Sequence, residues 1–332
     1  MTQLWFATST EEYLPDEMLE HAEAAERAGF DAIGTSDHFA PWFPDGRGTQ
    51  AWVFLGAVGQ RTSKPIGTGV TPVVHHYHPG LIAQAWMSLE AMYPGRVWLG
   101  AGSGEAVNEV PLGLDWPAPA EQLERFDKGL EAITRLWDGE TVTMDGGWFE
   151  LREAKLYTRA ASRPKLYVSA FGPQAARIAG KYGDGLWTMG DPEIAGEVIE
   201  AYRSSCSEHG REPGEIILQG GFAWAEAEQA AIDGAARWKP TQLSEVYRDE
   251  IPDPADMQRR ADREMSDEEF AKQGFIISSD PEEHVERVRE IQEIEGATVV
   301  CLQLIGQADP LGSIRTYGEK VLPSLRGART GA

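Results

Sequence analysis

The chain has 332 residues, 42% of them hydrophobic, enough to bury one large core or the cores of two average domains. Fifty-three acidic side chains against 30 basic ones give a formal net charge of −23, which argues against nucleic acid or an anionic membrane surface as partner. Two cysteines, Cys206 and Cys301, are too few for a disulfide framework or a structural zinc site, and neither a membrane-spanning apolar run nor the basic flank of a secretory signal stands out; the expected compartment is the reducing cytoplasm.

Read in order, the chain repeats a short apolar strand, a turn and an amphipathic helix. Leu4–Thr8 reads as the first strand and 15–28 as its helix, opened by Pro15 and closed by Gly29. Phe30–Thr35 is the second strand, followed by helix 51–62. Ile66–Pro72 is the third, its glycines signalling a bulge or a closely approaching ligand, followed by helix 79–92. Arg96–Ala101 is the fourth, and a strongly periodic helix covers 120–137. A hairpin with an Asp-Gly-Gly turn is expected near 140–157, inserted into the repeat. Lys165–Ala170, Gly185–Thr188 and Ile216–Ala223 read as strands five to seven, with helices starting at Pro173 and covering 192–209. The stretch 224–272 reads as irregular helix broken by Pro240, Pro252 and Pro254, a cap over a pocket. A strand-like Phe275–Ser278, helix 281–294, the eighth strand Ala297–Leu304 and helix 310–326 follow. Acidic stretches such as Glu11–Glu26 and Glu282–Glu295 read as solvated helix faces. Eight or nine parallel-strand candidates alternating with helices predict a single (β/α)8 TIM barrel over 1–332, with insertions near 140–157 and 224–272 at its C-terminal face. A doubly wound open sheet is the alternative.

Three stretches carry chemistry. The second strand ends in Ser36-Asp37-His38 and runs into Phe39, Pro41, Trp42 and Phe43, which puts titratable groups at the mouth of an apolar pocket. A helix cap with a surface histidine is the plainer account of the same residues. Gly100-Ala-Gly-Ser-Gly-Glu105, with Asn108 and Glu109, either lets backbone approach a flat ligand and places Glu105 at the barrel mouth, or is a tight turn. Its position after the fourth strand does not suit a dinucleotide fingerprint. Phe171-Gly172-Pro173 opens a helix, which either accepts an anion or is simply proline-capped. His75-His76-Tyr77-His78 has no further ligand in sequence to complete a metal site, and no Gly-x-Ser-x-Gly elbow occurs, so neither a metal nor a serine nucleophile is expected.

Thr35-Ser-Asp-His-Phe39 with Pro41-Trp42, Gly67–Pro72, Pro94-Gly-Arg-Val97, Gly102-Ser-Gly-Glu-Ala106 with Asn108-Glu109, Gly172-Pro173 and Gly183-Asp-Gly185 occur in order. Over about residues 3–326 this pattern resembles the luciferase-like superfamily, and within it the F420-dependent glucose-6-phosphate dehydrogenase group. The resemblance implies a (β/α)8 barrel, a homodimer, and coenzyme F420, a deazaflavin, across the C-terminal strand ends. Position by position it places Asp37 and His38 beside the reactive face of the cofactor and Trp42 in the substrate pocket. Gly69-Val70 falls at the bulge, often a non-prolyl cis peptide, that supports the ring. Thr71 and Asn108 are expected to contact the cofactor, Glu105 to lie near the ring nitrogen, and Phe171, Gly172 and Thr188 to flank the phosphate-bearing tail. His38 then serves as general base and Glu105 as acid.

The chain also departs from the group. Where two lysines and an arginine meet the substrate phosphate, it has Asp191 at one position, Arg259 near the second and Gln273 at the third. A neutral alcohol, a free sugar or a ketone therefore becomes the expected substrate, with a sugar-phosphate dehydrogenase and an FMN-dependent monooxygenase as alternatives.

Overall fold

The computed structural model describes residues 2–247, 251–306 and 308–327. Twelve strands follow one another along it: β1 (Gln3–Thr8), β2 (Ala32–Thr35), β3 (Ile66–Thr68), β4 (Thr71–Pro72), β5 (Val97–Gly102), β6 (Val142–Asp145), β7 (Glu150–Ala154), β8 (Lys165–Ser169), β9 (Gly185–Met189), β10 (Glu215–Trp224), β11 (Ile276–Ser278) and β12 (Val299–Leu304). Eight of them, in the order β12-β1-β2-β3-β5-β8-β9-β10, close into a parallel barrel, because β10 pairs with both β9 and β12. The closed (β/α)8 arrangement excludes the open doubly wound sheet.

The ambiguous ninth strand is resolved by the length of β10. Its first half, Glu215–Gln219, pairs with β9, and its end, Phe222–Trp224, pairs with β11, so β11 extends the rim without adding a stave. The third strand is not continuous: β3 and β4 flank a cis peptide bond between Gly69 and Val70. The terminal helix is likewise divided into Pro310–Thr316, a π turn at Tyr317–Val321 and Leu322–Gly327.

Alternation along the strands sorts side chains into two cores. Trp5, Ala7, Ala32, Trp98, Tyr167, Trp187, Ile217, Val299 and Cys301 fill the barrel interior. Trp5 sits 4.7 Å from the Trp98 ring and 6.3 Å from that of Trp187, which leaves no pore. Rings of this size need a bare neighbour: a Cβ on Gly67 would fall 2.2 Å from the Trp98 carbonyl oxygen. The alternate residues, Phe6, Ile33, Leu99, Leu166, Leu186 and Leu218, pack outward beneath the helices. Both cysteines are buried and free.

Two insertions leave the barrel. The antiparallel hairpin β6–β7 turns at Asp145-Gly-Gly, where the Asp145 carboxylate accepts the Gly147 N–H at 2.9 Å. The helical insertion contains Glu228–Ala235, 3-10 turns at Ala236–Gln242 and Ser244–Tyr247, and helices Pro254–Glu264 and Asp267–Phe270. Pro240 lies inside a 3-10 turn, but Pro254 opens a helix, capped by Asp253, instead of breaking one. The insertion has its own apolar core of Trp238, Leu243, Val246, Met257 and Phe270, joined to Trp42, Phe43 and Val107 of the barrel loops.

Candidate active site

At the C-terminal strand ends, beneath the helical insertion, lies a cavity of about 700 Å³. The fourth turn of the repeat reaches it through glycines: Cβ atoms on Gly100 and Gly102 would meet the Thr68 carbonyl oxygen at 2.1 Å and the Val70 side chain at 2.5 Å, and Gly104 has a φ of +83°. The glycines here thus serve close packing against the β3–β4 junction, and Gly104 turns the chain so that Glu105 lines the cavity.

His38 is the centre of the polar wall. Its Nε2 lies 3.2 Å from Glu105 Oε2 and 3.6 Å from Glu11 Oε1. On the other side of the ring, Nδ1 is 3.3 Å from the Ala40 carbonyl oxygen and 3.2 Å from Asn108 Nδ2. Asn108 Oδ1 accepts from the Phe39 and Ala40 N–H groups at 2.9 and 3.1 Å, which turns its amide nitrogen toward His38 and Glu105. Glu11 Oε2 accepts a short hydrogen bond from Ser36 Oγ and one of 3.1 Å from Thr10 Oγ1. Burial pulls the His38 imidazolium toward lower pKa, but the carboxylates of Glu11 and Glu105 outweigh it and raise the group above its ordinary value. Burial likewise raises Glu105, against the attraction of His38, with Glu11 and Glu109 adding to the rise.

Glu11 corrects the reading of Glu11–Glu26 as a solvated face: Glu11 and Glu12 are each 1% exposed. They stand in the loop between β1 and the helix Pro15–Ala28, and so at the barrel mouth, where catalytic groups collect. The missed signal was position, a pair of acids directly after a strand and before the helix-opening proline.

Trp42 lines the cavity with its ring 5.3 Å from that of His38. Gly69 and Val70 line it from the β3–β4 junction, and a Cβ on Gly69 would fall 2.3 Å from the Trp187 ring. Asp37 also lines it, but its carboxylate is committed: Oδ2 accepts from Trp52 Nε1 at 2.9 Å and Thr71 Oγ1 at 2.7 Å, and Oδ1 from the Tyr77 hydroxyl at 3.2 Å. Burial raises its pKa, offset by these donors. Thr71 thus buttresses Asp37 from behind and is absent from the cavity wall. Thr188 is also off the wall. On β9 it alternates with Trp187 inside the barrel and Met189 on the cavity, so it is fully buried on the outer face. Phe171, 57% exposed, lines the cavity; Gly172 is the cap of helix Pro173–Tyr182 just beyond it.

The residues at the group's three phosphate-binding positions do not form a basic cradle on the cavity wall. Arg259 is off the cavity wall: helix Pro254–Glu264 buries Met257 and Ala261, and Arg259 pairs with Asp256 at 3.3 Å. Asp191 lines the cavity while capping helix Pro192–Glu208 through the Glu193 N–H at 2.9 Å. Gln273 is exposed, and Gly274 and Phe275 take its place on the wall. Sequence reasoning missed Arg287, which does line the cavity and lies 3.4 Å from Glu290. It also missed Gln219, which accepts from Trp187 Nε1 at 2.7 Å, and the aromatic Trp238 and Tyr247. The histidine run has separate duties: His76 Nδ1 meets Glu109 Oε2 at 2.8 Å, His78 caps helix Pro79–Met92, and His75 is lowered to about 4 by burial, Arg125 and His76. Among the described residues no group of three or more histidine, cysteine, aspartate or glutamate side chains is arranged to hold a metal ion.

A largely buried imidazole whose Nε2 faces two carboxylates, on a cavity with much apolar wall, can take a proton from a hydroxyl or return it to a carbonyl. The wall from Val70, Pro72, Phe171, Met189 and Ile291, interrupted by backbone at Gly69, Gly190 and Gly220, also fits a large flat heterocycle.

The family model described as luciferase-like monooxygenase matches residues 1–298. An F420-dependent glucose-6-phosphate dehydrogenase of Microbacterium testaceum is 37% identical over 328 residues, 97% of this chain and 96% of the relative. An F420-dependent hydroxymycolic acid dehydrogenase of Mycobacterium tuberculosis is 34% identical, over 96% of this chain and 87% of the relative. Among solved structures, an F420-dependent secondary alcohol dehydrogenase in complex with an F420-acetone adduct superposes with a TM-score of 0.91 at 30% identity, covering 98% of this chain and 99% of that one. Fold, motif order and these full-length likenesses agree: the chain belongs to the luciferase-like family.

Proposed function

We propose that the chain is an F420-dependent oxidoreductase that interconverts a neutral secondary alcohol and its ketone. The observation that carries this is His38 held between Glu11 and Glu105 at the wall of a cavity whose other charges are mostly acidic. Coenzyme F420, when bound, supplies the acceptor or donor of a hydride. Gly69, Val70 and Phe171 form the wall assigned to it, and Asn108 holds His38 and Glu105 in register. His38 Nε2 takes the hydroxyl proton as the alcohol is oxidised, and the carboxylates of Glu11 and Glu105 stabilise the imidazolium that forms. In the opposite direction the imidazolium returns that proton to the carbonyl oxygen. Burial raises the pKa of Glu105, and the attraction of His38 opposes that rise, so the two groups titrate as a coupled pair.

The relatives named as glucose-6-phosphate dehydrogenases support a second reading, a sugar-phosphate substrate. Against it, Glu11, Asp37, Glu105, Asp191 and Glu290 line the cavity, and Arg287 is the one arginine or lysine among the described lining residues. A homodimer in the cytoplasm, with no nucleic-acid or membrane partner, completes the proposal, supported by family likeness and the net charge of −23. Fluorescence titration with F420 and FMN separately, then steady-state assays on secondary alcohols, ketones and sugar phosphates, tests it. Tighter binding of F420 and turnover of neutral alcohols are expected; micromolar FMN binding with none to F420 would overturn the cofactor assignment.

A further inference from the structure

Besides Phe171 and Phe275, three aromatic side chains line the cavity among the described residues. Trp42 comes from the loop after β2, and Trp238 and Tyr247 from the two 3-10 turns of the helical insertion. The Trp42 ring lies 5.3 Å from that of His38 and 5.6 Å from that of Tyr247, so Trp42 links the proton acceptor to Tyr247, while Trp238 meets Phe43 at 5.6 Å. Trp238 Nε1 donates to Glu12 Oε2 at 2.9 Å, and the Tyr247 hydroxyl donates to the Thr241 carbonyl oxygen at 3.0 Å. With these polar atoms committed to protein, the two side chains offer a ligand ring surface in place of hydrogen bonds.

Tyr247 differs from its neighbours in exposure: it is 38% exposed, against 3% for Trp42 and for Trp238. It is nonetheless held in place. The adjoining Val246 is fully buried in the core that the insertion shares with Val107, next in the chain to Asn108. The Tyr247 ring is therefore an anchored, part-exposed piece of the cavity wall, in contact with Trp42 beside His38. The whole cavity, about 700 Å³, lies within the range of about 300–1,000 Å³ typical of small-molecule sites.

We propose that Tyr247 is a specificity-determining residue, closing with Trp42 and Trp238 a box that accepts small neutral secondary alcohols and their ketones and turns away long-chain ones. The inference rests on the carbinol–carbonyl reading above. A secondary alcohol must bring its hydroxyl to His38, which leaves its two alkyl arms against these rings. Each methylene buried there is worth roughly fourfold in binding, until an arm must displace Tyr247 to fit.

The test compares kcat/KM for 2-propanol and 2-octanol in the wild type, Tyr247→Phe, Tyr247→Leu and Tyr247→Ala, with F420 binding followed by fluorescence quenching. The wild type is expected to prefer 2-propanol. Tyr247→Ala should lower its kcat/KM for 2-propanol about tenfold, chiefly through KM, and raise that for 2-octanol, with Tyr247→Leu intermediate. Tyr247→Phe, which keeps the ring and loses only the hydroxyl, should keep the size preference. An unchanged ratio in Tyr247→Ala, or in Tyr247→Leu should the alanine variant lose F420 binding, overturns the inference; so does a full shift in Tyr247→Phe. Wild-type enzyme inert on every secondary alcohol and ketone, yet active on a sugar phosphate, overturns instead the function on which it rests.

Discussion

In the proposed mechanism alcohol oxidation starts from unprotonated His38 and ketone reduction from the protonated form, so its charge state divides the two directions by pH. Because Glu11 and Glu105 raise its pKa, the rise of oxidation rate lies at higher pH than for an ordinary histidine, and reduction declines over the same range. Glu11→Gln removes one of the two carboxylates while keeping an acceptor for Ser36 and Thr10. The rising limb of kcat/KM for oxidation is therefore expected to move to lower pH. A pH profile identical to that of the wild type would remove Glu11 from the pair. His38→Ala should lower turnover by about 10²–10⁴-fold, the usual worth of a positioned acid–base group, with circular dichroism unchanged. Of this cluster His38, Trp42, Glu105 and Asn108 were legible, because each stands in a motif just past a strand end. Glu11 was not, since an acid beside another acid and ahead of an amphipathic helix carries no local mark of burial. The chain's motifs also include purely structural members: Asp184 of Gly183-Asp-Gly185 forms a forked pair with Arg163 at 2.6 and 2.8 Å, away from the cavity wall.

Among the elements, the helical insertion is tied to the barrel at Glu12. Its carboxylate accepts from Trp238 Nε1 and from the Gly306 N–H, both at 2.9 Å, and Arg237 approaches it at 3.7 Å while pairing with Asp45 and lying 4.5 Å over the Phe43 ring. Burial raises Glu12 from 4.5 to about 7, against the pull of Trp238, Arg237 and Gly306. An acid whose folded pKa exceeds its unfolded one keeps a proton that the unfolded chain has released. Its contribution to stability is therefore lost as pH climbs from about 4.5 to about 7 and is constant above. Glu12→Gln, which preserves an acceptor for Trp238, is expected to flatten the decline in unfolding free energy across that window, measured by urea denaturation at several pH values. A slope equal to that of the wild type would assign the decline to other groups. Insertion boundaries were readable from the interrupted periodicity and the prolines, whereas the clasp joins residues 226 positions apart and has no signature in either segment alone.

At the scale of the whole molecule, the barrel was legible because each βα unit announces itself twice, by a short apolar run and by a 3.6-residue rhythm. The glycines of the third strand marked its break at Gly69-Val70, whereas the place of the ninth strand, which was left open, depends on which edges meet in space. The same limit governs the substrate. Arg259 stood near a cation position in linear order, yet its helix face points it away from the cavity, while Arg287, which carries no motif, lines it.

The charge of the whole cavity then gives the final prediction. A charge-assisted contact typically contributes about 1.5–3 kcal/mol, so one lining cation, Arg287, in place of three costs roughly two to four decades of affinity. Asp191 adds repulsion at the wall, and the Arg287 guanidinium is already 3.4 Å from the Glu290 carboxylate, so a dianion would have to compete for it. Glucose 6-phosphate is therefore expected to be turned over weakly or not at all, and a neutral secondary alcohol substantially better, in steady-state assays with F420. Arg287→Ala should leave the neutral substrate's KM within about a factor of two. A micromolar KM for glucose 6-phosphate that rises steeply in Arg287→Ala would mean that this one arginine, freed from Glu290, rebuilds the phosphate site by itself.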